Sequence, residues 1–200
     1  MTPYRFCIEE FFDLLGSEDR RFLVFRENGA KCYPVLRKAA ERIAPGHTLV
    51  IAMSDQVIVD YSFADEIVGK LISELSSGDL EDRYAVVEVS TLNQYENVEA
   101  SFVMRKQFGL IRHVGGEWQL VGQRPKGDRS REELEETLEH LNIRGHLTAA
   151  ELSDATGLAI NACSNRLFRL NEARLAHRVK EVASREYLYF SLVSPDMINA

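Results

Sequence analysis

Cysteine is scarce in this sequence, with three in 200 residues. Cys7, Cys32 and Cys163 lie far apart and match no metal-ligand spacing, and an odd, sparse count argues against a disulfide framework. We therefore expect reduced thiols that fill the core. The five histidines are equally scattered and form no HxxxH or HExxH pair, so the sequence predicts no metal site and no cofactor.

Long hydrophobic runs are also missing. No stretch approaches the roughly 20 consecutive apolar residues that a membrane helix needs. The N-terminal run MTPYRFCIEEFFDLLG has acidic residues where a signal peptide has its apolar core. These two absences predict a cytoplasmic protein with no membrane partner.

Signatures of enzymatic activity are missing too. The sequence has no GxGxxG, P-loop or GxSxG motif, and we expect no enzyme. Four acidic residues lie close together in sequence: Asp55, Asp60, Asp65 and Glu66. Consecutive helical positions such as 65 and 66 point about 100° apart, so we interpret these side chains as solvated cap and surface charges rather than a metal cluster.

Basic residues are outnumbered overall, with a net charge of −7, whereas proteins that bind nucleic acid usually carry a basic excess. The charge is segregated, however. Between residues 160 and 185 there are six basic residues and only two acidic ones. A contact with nucleic acid therefore remains open for this segment.

Two domains and a linker are predicted. Residues 123–130 have linker composition and separate an N-terminal domain, 1–122, from a C-terminal domain, 131–200. In the first, strand patterns at 21–27, 48–54 and 84–90 alternate with helical patterns at 35–43, 63–75 and 95–107, and a hairpin covers 110–114 and 117–122. This alternation predicts an α/β domain with a mainly parallel sheet.

The C-terminal domain has the element order of a winged helix-turn-helix. Helices are predicted at 131–142, 148–156 and 159–172, followed by strands at 175–182 and 186–193. Thr148 and Glu151 form a capping box, and Gly157 is a typical helix stop. Four residues at helical spacing predict the buried face of the third helix: Ile160, Cys163, Leu167 and Leu170.

The opposite face of that helix predicts a DNA interface. Asn161, Asn165 and Arg169 lie there, with Arg166 on the flank, and these side chain types read base edges and phosphates. Three basic residues of the wing add phosphate contacts: Arg178, Lys180 and Arg185. Alternatively, the arginines are ordinary surface charges and the domain docks proteins only. Phe168 also points outward, and we expect it to contact the wing or a partner chain.

The C-terminal run LTAAELSDATGLAINACSNRLFRLNEARLAHRV resembles the winged helix-turn-helix of MarR-like bacterial regulators. Gly157-Leu158, Ser164, Arg166-Leu167, Leu170, Leu175 and Arg178 match that pattern. Arg174 departs from it, because those families mostly have glycine there. The resemblance implies double-stranded DNA as a partner, and two-fold pairing of such domains implies a homodimer.

The N-terminal stretch VIVDYSFADEIVGKLISEL predicts a helix that starts at Ser62, with Asp65 completing the start signal and an apolar stripe facing the sheet. It resembles a STAS-like domain of unknown function and, more distantly, anti-sigma factor antagonists. That second resemblance implies Ser62 as a phosphosite for a partner kinase, with a plain helix cap as the alternative. Ala52, Tyr61 and Phe63 depart from the antagonist pattern.

Two functions follow as expectations. One is a bacterial transcription regulator, in which a STAS-like sensing domain controls a DNA-binding winged helix. The other is a protein-interaction adaptor that acts as an antagonist-type switch with a kinase or ATPase. A small-molecule sensor is a third alternative, because ligands favour the carboxyl ends of parallel strands.

Overall fold

The computed structural model describes residues 4–123, 129–180 and 186–194 and has a mixed α/β fold. Its first part contains β1 (Arg5–Cys7), α1 (Glu10–Leu15), β2 (Phe22–Leu23), α2 (Arg26–Arg42), β3 (Thr48–Ala52), β4 (Ile58–Val59), α3 (Tyr61–Ala64), a π-helical segment (Asp65–Gly69), α4 (Lys70–Ser77), β5 (Tyr84–Val89), α5 (Leu92–Met104), β6 (Phe108–His113) and β7 (Gln119–Gly122). Its second part contains α6 (Arg129–Arg144), β8 (His146–Leu147), α7 (Ala149–Thr156), α8 (Ile160–Glu172), β9 (Ala176–Lys180) and β10 (Tyr187–Ser191).

The main sheet has five strands in the order β1-β3-β5-β6-β7. The first four are parallel and β7 returns antiparallel to β6, which confirms the predicted mainly parallel sheet and the hairpin. All residues of β3 and β5 are buried, as is typical of parallel strands covered on both faces. A separate ribbon pairs β2 with β4 in parallel.

The strand predicted at 21–27 is largely wrong. Only Phe22 and Leu23 are extended, and α2 begins at Arg26, nine residues before the predicted helix start. Phe25, the N-cap of α2, has a positive φ of 72°, which lies outside the strand region. Strand β1 was not predicted, because three residues are too few to show an alternating pattern.

One face of the sheet is covered by the helices α1 to α5. The predicted apolar stripe packs there and is confirmed, since each of its seven residues is at most 6% exposed: Phe63, Ala64, Ile67, Val68, Leu71, Ile72 and Leu75. Cys32 fills this core and Cys163 fills the second one, as predicted for core thiols, whereas Cys7 is exposed.

The other face of the sheet is covered by the second part of the chain. A single buried cluster joins sheet residues, such as Tyr84, Val86 and Leu110, to Leu141 and Leu175 from the C-terminal part. The sheet is therefore the middle of three layers, and the two predicted domains share a hydrophobic core. Burial of this apolar area ties the stability of one part to that of the other.

The second part has the predicted three helices and two strands in the predicted order. A short strand, β8, was not predicted and completes an antiparallel sheet in the order β8-β10-β9. Most of the predicted linker, residues 124–128, lies outside the described residues, and so does the segment 181–185 between β9 and β10.

Candidate nucleic-acid interface

Both ends of α7 are capped by the residues that the sequence predicted. The Thr148 hydroxyl accepts a hydrogen bond from the Glu151 amide at 3.2 Å, and the Glu151 carboxylate accepts one from the Thr148 amide at 2.7 Å. This backbone hydrogen bond holds the pKa of Glu151 below its ordinary value. Gly157 ends α7 with a φ of 72°, and the Ser153 hydroxyl donates to the Leu158 carbonyl across the turn.

One face of α8 anchors the helix in the core. Cys163, Leu167 and Leu170 are fully buried, as predicted. Ile160 was predicted on the same face but is 56% exposed, so that part of the prediction is wrong. It is the first residue of α8, whose first turn extends beyond the buried layer that begins at Cys163.

The other face of α8 presents neutral polar groups. Asn161, Ser164 and Asn165 are exposed, and the spacing of four residues puts the two asparagines on one side of the helix. Neither asparagine side chain has a hydrogen-bond partner within the part of the chain that the structure describes. Their amide groups are therefore accessible as both donors and acceptors.

Arg166 and Arg169 lie toward α6 instead. Arg166 Nη1 is 2.6 Å from Glu136 Oε2, and Arg169 Nη1 is 3.1 Å from Glu133 Oε2. The Arg166 side chain is only 17% exposed. The structure therefore separates the two arginines from the asparagines. A DNA phosphate would have to compete with the glutamate carboxylates for either guanidinium.

The strand β9 lies beside the exposed face of α8. The Arg178 guanidinium stacks over two rings, 5.3 Å from the centroid of Phe168 and 4.6 Å from that of Tyr187. This contact confirms the expectation that Phe168 meets the strand pair. Lys180 is exposed at the end of β9, and Arg185 lies outside the described residues.

Arg174 leads from α8 into β9 with a φ of 56°. This is the left-handed conformation that a glycine would adopt at lower cost, so the substitution noted in the sequence keeps the same turn. The Arg174 guanidinium lies 5.9 Å from the centroid of the Tyr84 ring, which places this turn against the main sheet.

A polar cluster that sequence reasoning missed joins β9 to the main sheet. The Tyr84 hydroxyl lies 3.0 Å from Asp82 Oδ1 and 3.2 Å from His177 Nδ1, and that nitrogen is 3.3 Å from Asp82 Oδ1. Burial lowers the pKa of His177, although the Asp82 carboxylate opposes this shift. No local pattern signals the cluster, because Tyr84 and His177 are 93 positions apart.

The helix start near Ser62 differs from the prediction. Asp60 is the N-cap, and its Oδ1 accepts hydrogen bonds from the Phe63 amide at 2.7 Å and from the Ser62 hydroxyl at 3.0 Å. Ser62 as the cap is therefore wrong, because the Asp60 side chain two residues earlier caps the helix through the Phe63 amide. Ser62 is half-buried in the first turn of α3.

Asp65 is a buried ion, and its interpretation as a solvated charge is wrong. It is 5% exposed and lies 2.5 Å from Arg105 Nε and 2.8 Å from Arg26 Nη2. Burial alone would raise the pKa of Asp65, but the two guanidinium groups outweigh it, so the pKa lies below its ordinary value. Glu66 pairs with Lys70 at 3.1 Å, as expected from their spacing.

The described ranges, residues 4–123, 129–180 and 186–194, contain no group of three or more His, Cys, Asp or Glu side chains placed to hold a metal ion. None of the helices described there has the length and apolar character needed to cross a bilayer. Comparison of the chain with protein-family models finds no match, and comparison with curated proteins finds none either.

Proposed function

We propose that this protein is a bacterial transcription regulator, in which a STAS-like α/β unit positions a DNA-binding winged helix-turn-helix, acting as a homodimer. The element order α6-β8-α7-α8-β9-β10 and the sheet order β8-β10-β9 support a winged helix. In this assignment α8 is the recognition helix, and β9 and β10 are the wing.

The observation that carries the proposal is the exposed amide pair of Asn161 and Asn165 at the N-terminal end of α8, which has no hydrogen-bond partner among the described residues. Recognition helices contact base edges through their N-terminal residues, and asparagine pairs with adenine through two hydrogen bonds. Arg178 and Lys180 on β9 supply positive charge for the adjacent phosphates. Arg166 and Arg169 contribute mainly to the packing of α8 on α6.

The shared core suggests how the α/β unit would exert control. Because the C-terminal part buries one face of the main sheet, any partner or ligand that shifts the sheet also shifts α8. The protein would then work as one rigid reader of DNA, rather than as a sensor joined to a reader by a loose linker.

The proposal is tested by fluorescence anisotropy with a labelled duplex selected by the protein from a random pool. We expect the affinity to fall with salt, with a log–log slope of about −2 per chain if Arg178 and Lys180 each release one counterion. K180A should weaken binding to all sequences and reduce that slope by about 1. K38A is the matched control, because Lys38 is also an exposed lysine and lies on α2.

Recognition of the DNA base sequence by α8 is tested with the double variant N161A/N165A. We expect a loss of tenfold or more on the selected duplex and little change on an unrelated one. Absence of salt-dependent binding to any duplex would exclude the proposed function. Identical affinities for K180A and K38A would exclude the wing as a phosphate contact.

A protein-interaction adaptor is the second candidate. It is favoured by the exposure of Ile160 (56%) and Phe168 (39%) on α8 and by the glutamates that neutralise Arg166 and Arg169. A kinase partner acting on Ser62 would have to break its hydrogen bond to Asp60. Mass spectrometry after incubation with a kinase encoded nearby tests this candidate, and an unmodified Ser62 with normal partner binding by S62A would exclude that switch.

A further inference from the structure

A groove with a volume of about 740 Å³ lies between the β6–β7 hairpin and α6. Its apolar lining includes Trp118 from the hairpin, Leu138 and Ile143 from α6, and Val193 after β10. Ile143 is 76% exposed and lines the same groove as Trp118, so both side chains offer apolar surface to a partner. The groove is large enough to hold several side chains of a partner.

The rim of this groove is acidic. Among the described residues that line it are four carboxylates and a single basic side chain, Arg131, which is already bound. Arg131 Nε lies 2.8 Å from Glu135 Oε1, and its terminal nitrogens donate to the carbonyls of Leu120 and Gly122. Glu117 and Glu139 are exposed and have no ion-pair partner within the described part of the chain. Among the described residues that line the groove, the free charge is therefore the negative charge of Glu117 and Glu139.

The Arg112 side chain contacts the indole and shares one buried carboxylate, that of Glu88, with Arg5. The Arg112 guanidinium lies over the Trp118 ring, 4.6 Å from its centroid, and Arg112 Nη2 is 2.6 Å from the buried carboxylate of Glu88. Arg112 thus packs on the indole ring while the Glu88 carboxylate binds its guanidinium. Apolar contact and negative charge occur side by side in the groove, and this combination is complementary to a segment with basic and apolar residues.

We propose that this groove is the docking site for a basic segment of a partner protein. Lysine or arginine side chains of the segment bind Glu117 and Glu139, and a neighbouring apolar side chain packs between Trp118 and Ile143. The surface is distinct from the α8 and β9 residues assigned to DNA. A partner could therefore occupy the groove while DNA is bound, because the two interactions use different residues.

Trp118 is the single tryptophan of the chain and reports on the groove directly. The full-length protein is titrated with a blocked hexapeptide of lysine and leucine while Trp118 emission is followed, and a glutamate–leucine hexapeptide is the comparison ligand. We expect a saturable emission change with the lysine peptide that weakens with added salt, and no saturable change with the glutamate peptide.

Matched variants locate the binding. E117Q/E139Q should weaken the lysine peptide about fivefold, as expected for two partly solvated ion pairs. E132Q/D154N removes the same charge from exposed positions outside the groove and should leave the affinity unchanged. I143A should weaken binding in the same assay without loss of folding, because the Ile143 side chain is largely in solvent.

Three results would overturn the proposal. The first is equal affinity of the two peptides, and the second is equal affinity of the wild type and E117Q/E139Q. The third is a Trp118 emission that depends on protein concentration alone in the wild type and loses this dependence in I143A. That result would make the groove a contact between two copies of the chain.

Discussion

Replacement of Asp65 by asparagine should destabilise the protein strongly. The variant keeps the shape of the side chain but removes the charge that faces Arg105 and Arg26. Loss of one partner from a buried ion pair typically costs about 3–5 kcal/mol. Because the Arg105 and Arg26 side chains are 27% and 51% exposed, water can solvate part of their charge, so we expect about 2–3 kcal/mol. In urea this corresponds to a midpoint lowered by about 1 M.

The pH dependence sharpens this test. The pKa of Asp65 is lower in the folded state than in the unfolded chain, so its carboxylate contributes stability above the unfolded pKa of about 3.9. That contribution is lost as the pH falls through the folded pKa. The free energies of unfolding of the wild type and D65N should therefore converge as the pH falls below about 4, and differ fully at pH 7.

D19N is the control for Asp65, because Asp19 also pairs with an arginine, Arg21 at 2.8 Å, but both side chains are exposed. We expect no measurable change of the urea midpoint for D19N. A loss below about 1 kcal/mol in D65N, or a loss that stays constant from pH 7 to pH 3, would refute the assignment of Asp65 as a buried ion held by two guanidinium groups.

The remaining predictions concern the contact between the two parts of the chain. Burial lowers the pKa of His177, so its neutral form stabilises the fold above the unfolded pKa of about 6.5, and this stability is lost as the pH falls through the folded pKa. H177Q should therefore show a weaker loss of stability between pH 7 and pH 5 in thermal denaturation, and an unchanged pH profile would contradict this role. L110A and L141A truncate residues from the two sides of the shared core, and each should cost about 2–5 kcal/mol while leaving one cooperative unfolding transition. Separation into two transitions would show that the parts unfold independently.

Features with a local sequence signal were predictable. The strands β3 and β5 are dense runs of β-branched residues, and α7 is bounded by Thr148 and Gly157, whose roles depend only on neighbouring residues. The buried face of α8 follows from its periodicity, except at Ile160. In contrast, the run at 21–27 resembled a strand, but only Phe22 and Leu23 form one, and Phe25 has a positive φ just before α2 begins.

Features that depend on distant residues were not predictable. The partners of Arg166 and Arg169 are about 30 residues away on α6, and Asp65 meets Arg105 across 40 positions. Helical geometry placed Arg169 beside the asparagines, but its long side chain reaches the glutamates of α6. The shared core was not predictable either. The sequence of a strand buried on both faces does not reveal which segment covers it.

Hydrogen exchange with and without the selected duplex tests the proposed function most directly. If α8 and β9 form the interface, DNA should slow exchange in residues 160–168 and 176–180, while the groove around Trp118 and the helices α2 and α5 remain unchanged. Protection confined to other segments, or no protection at a saturating duplex concentration, would contradict a winged helix that reads DNA through Asn161 and Asn165.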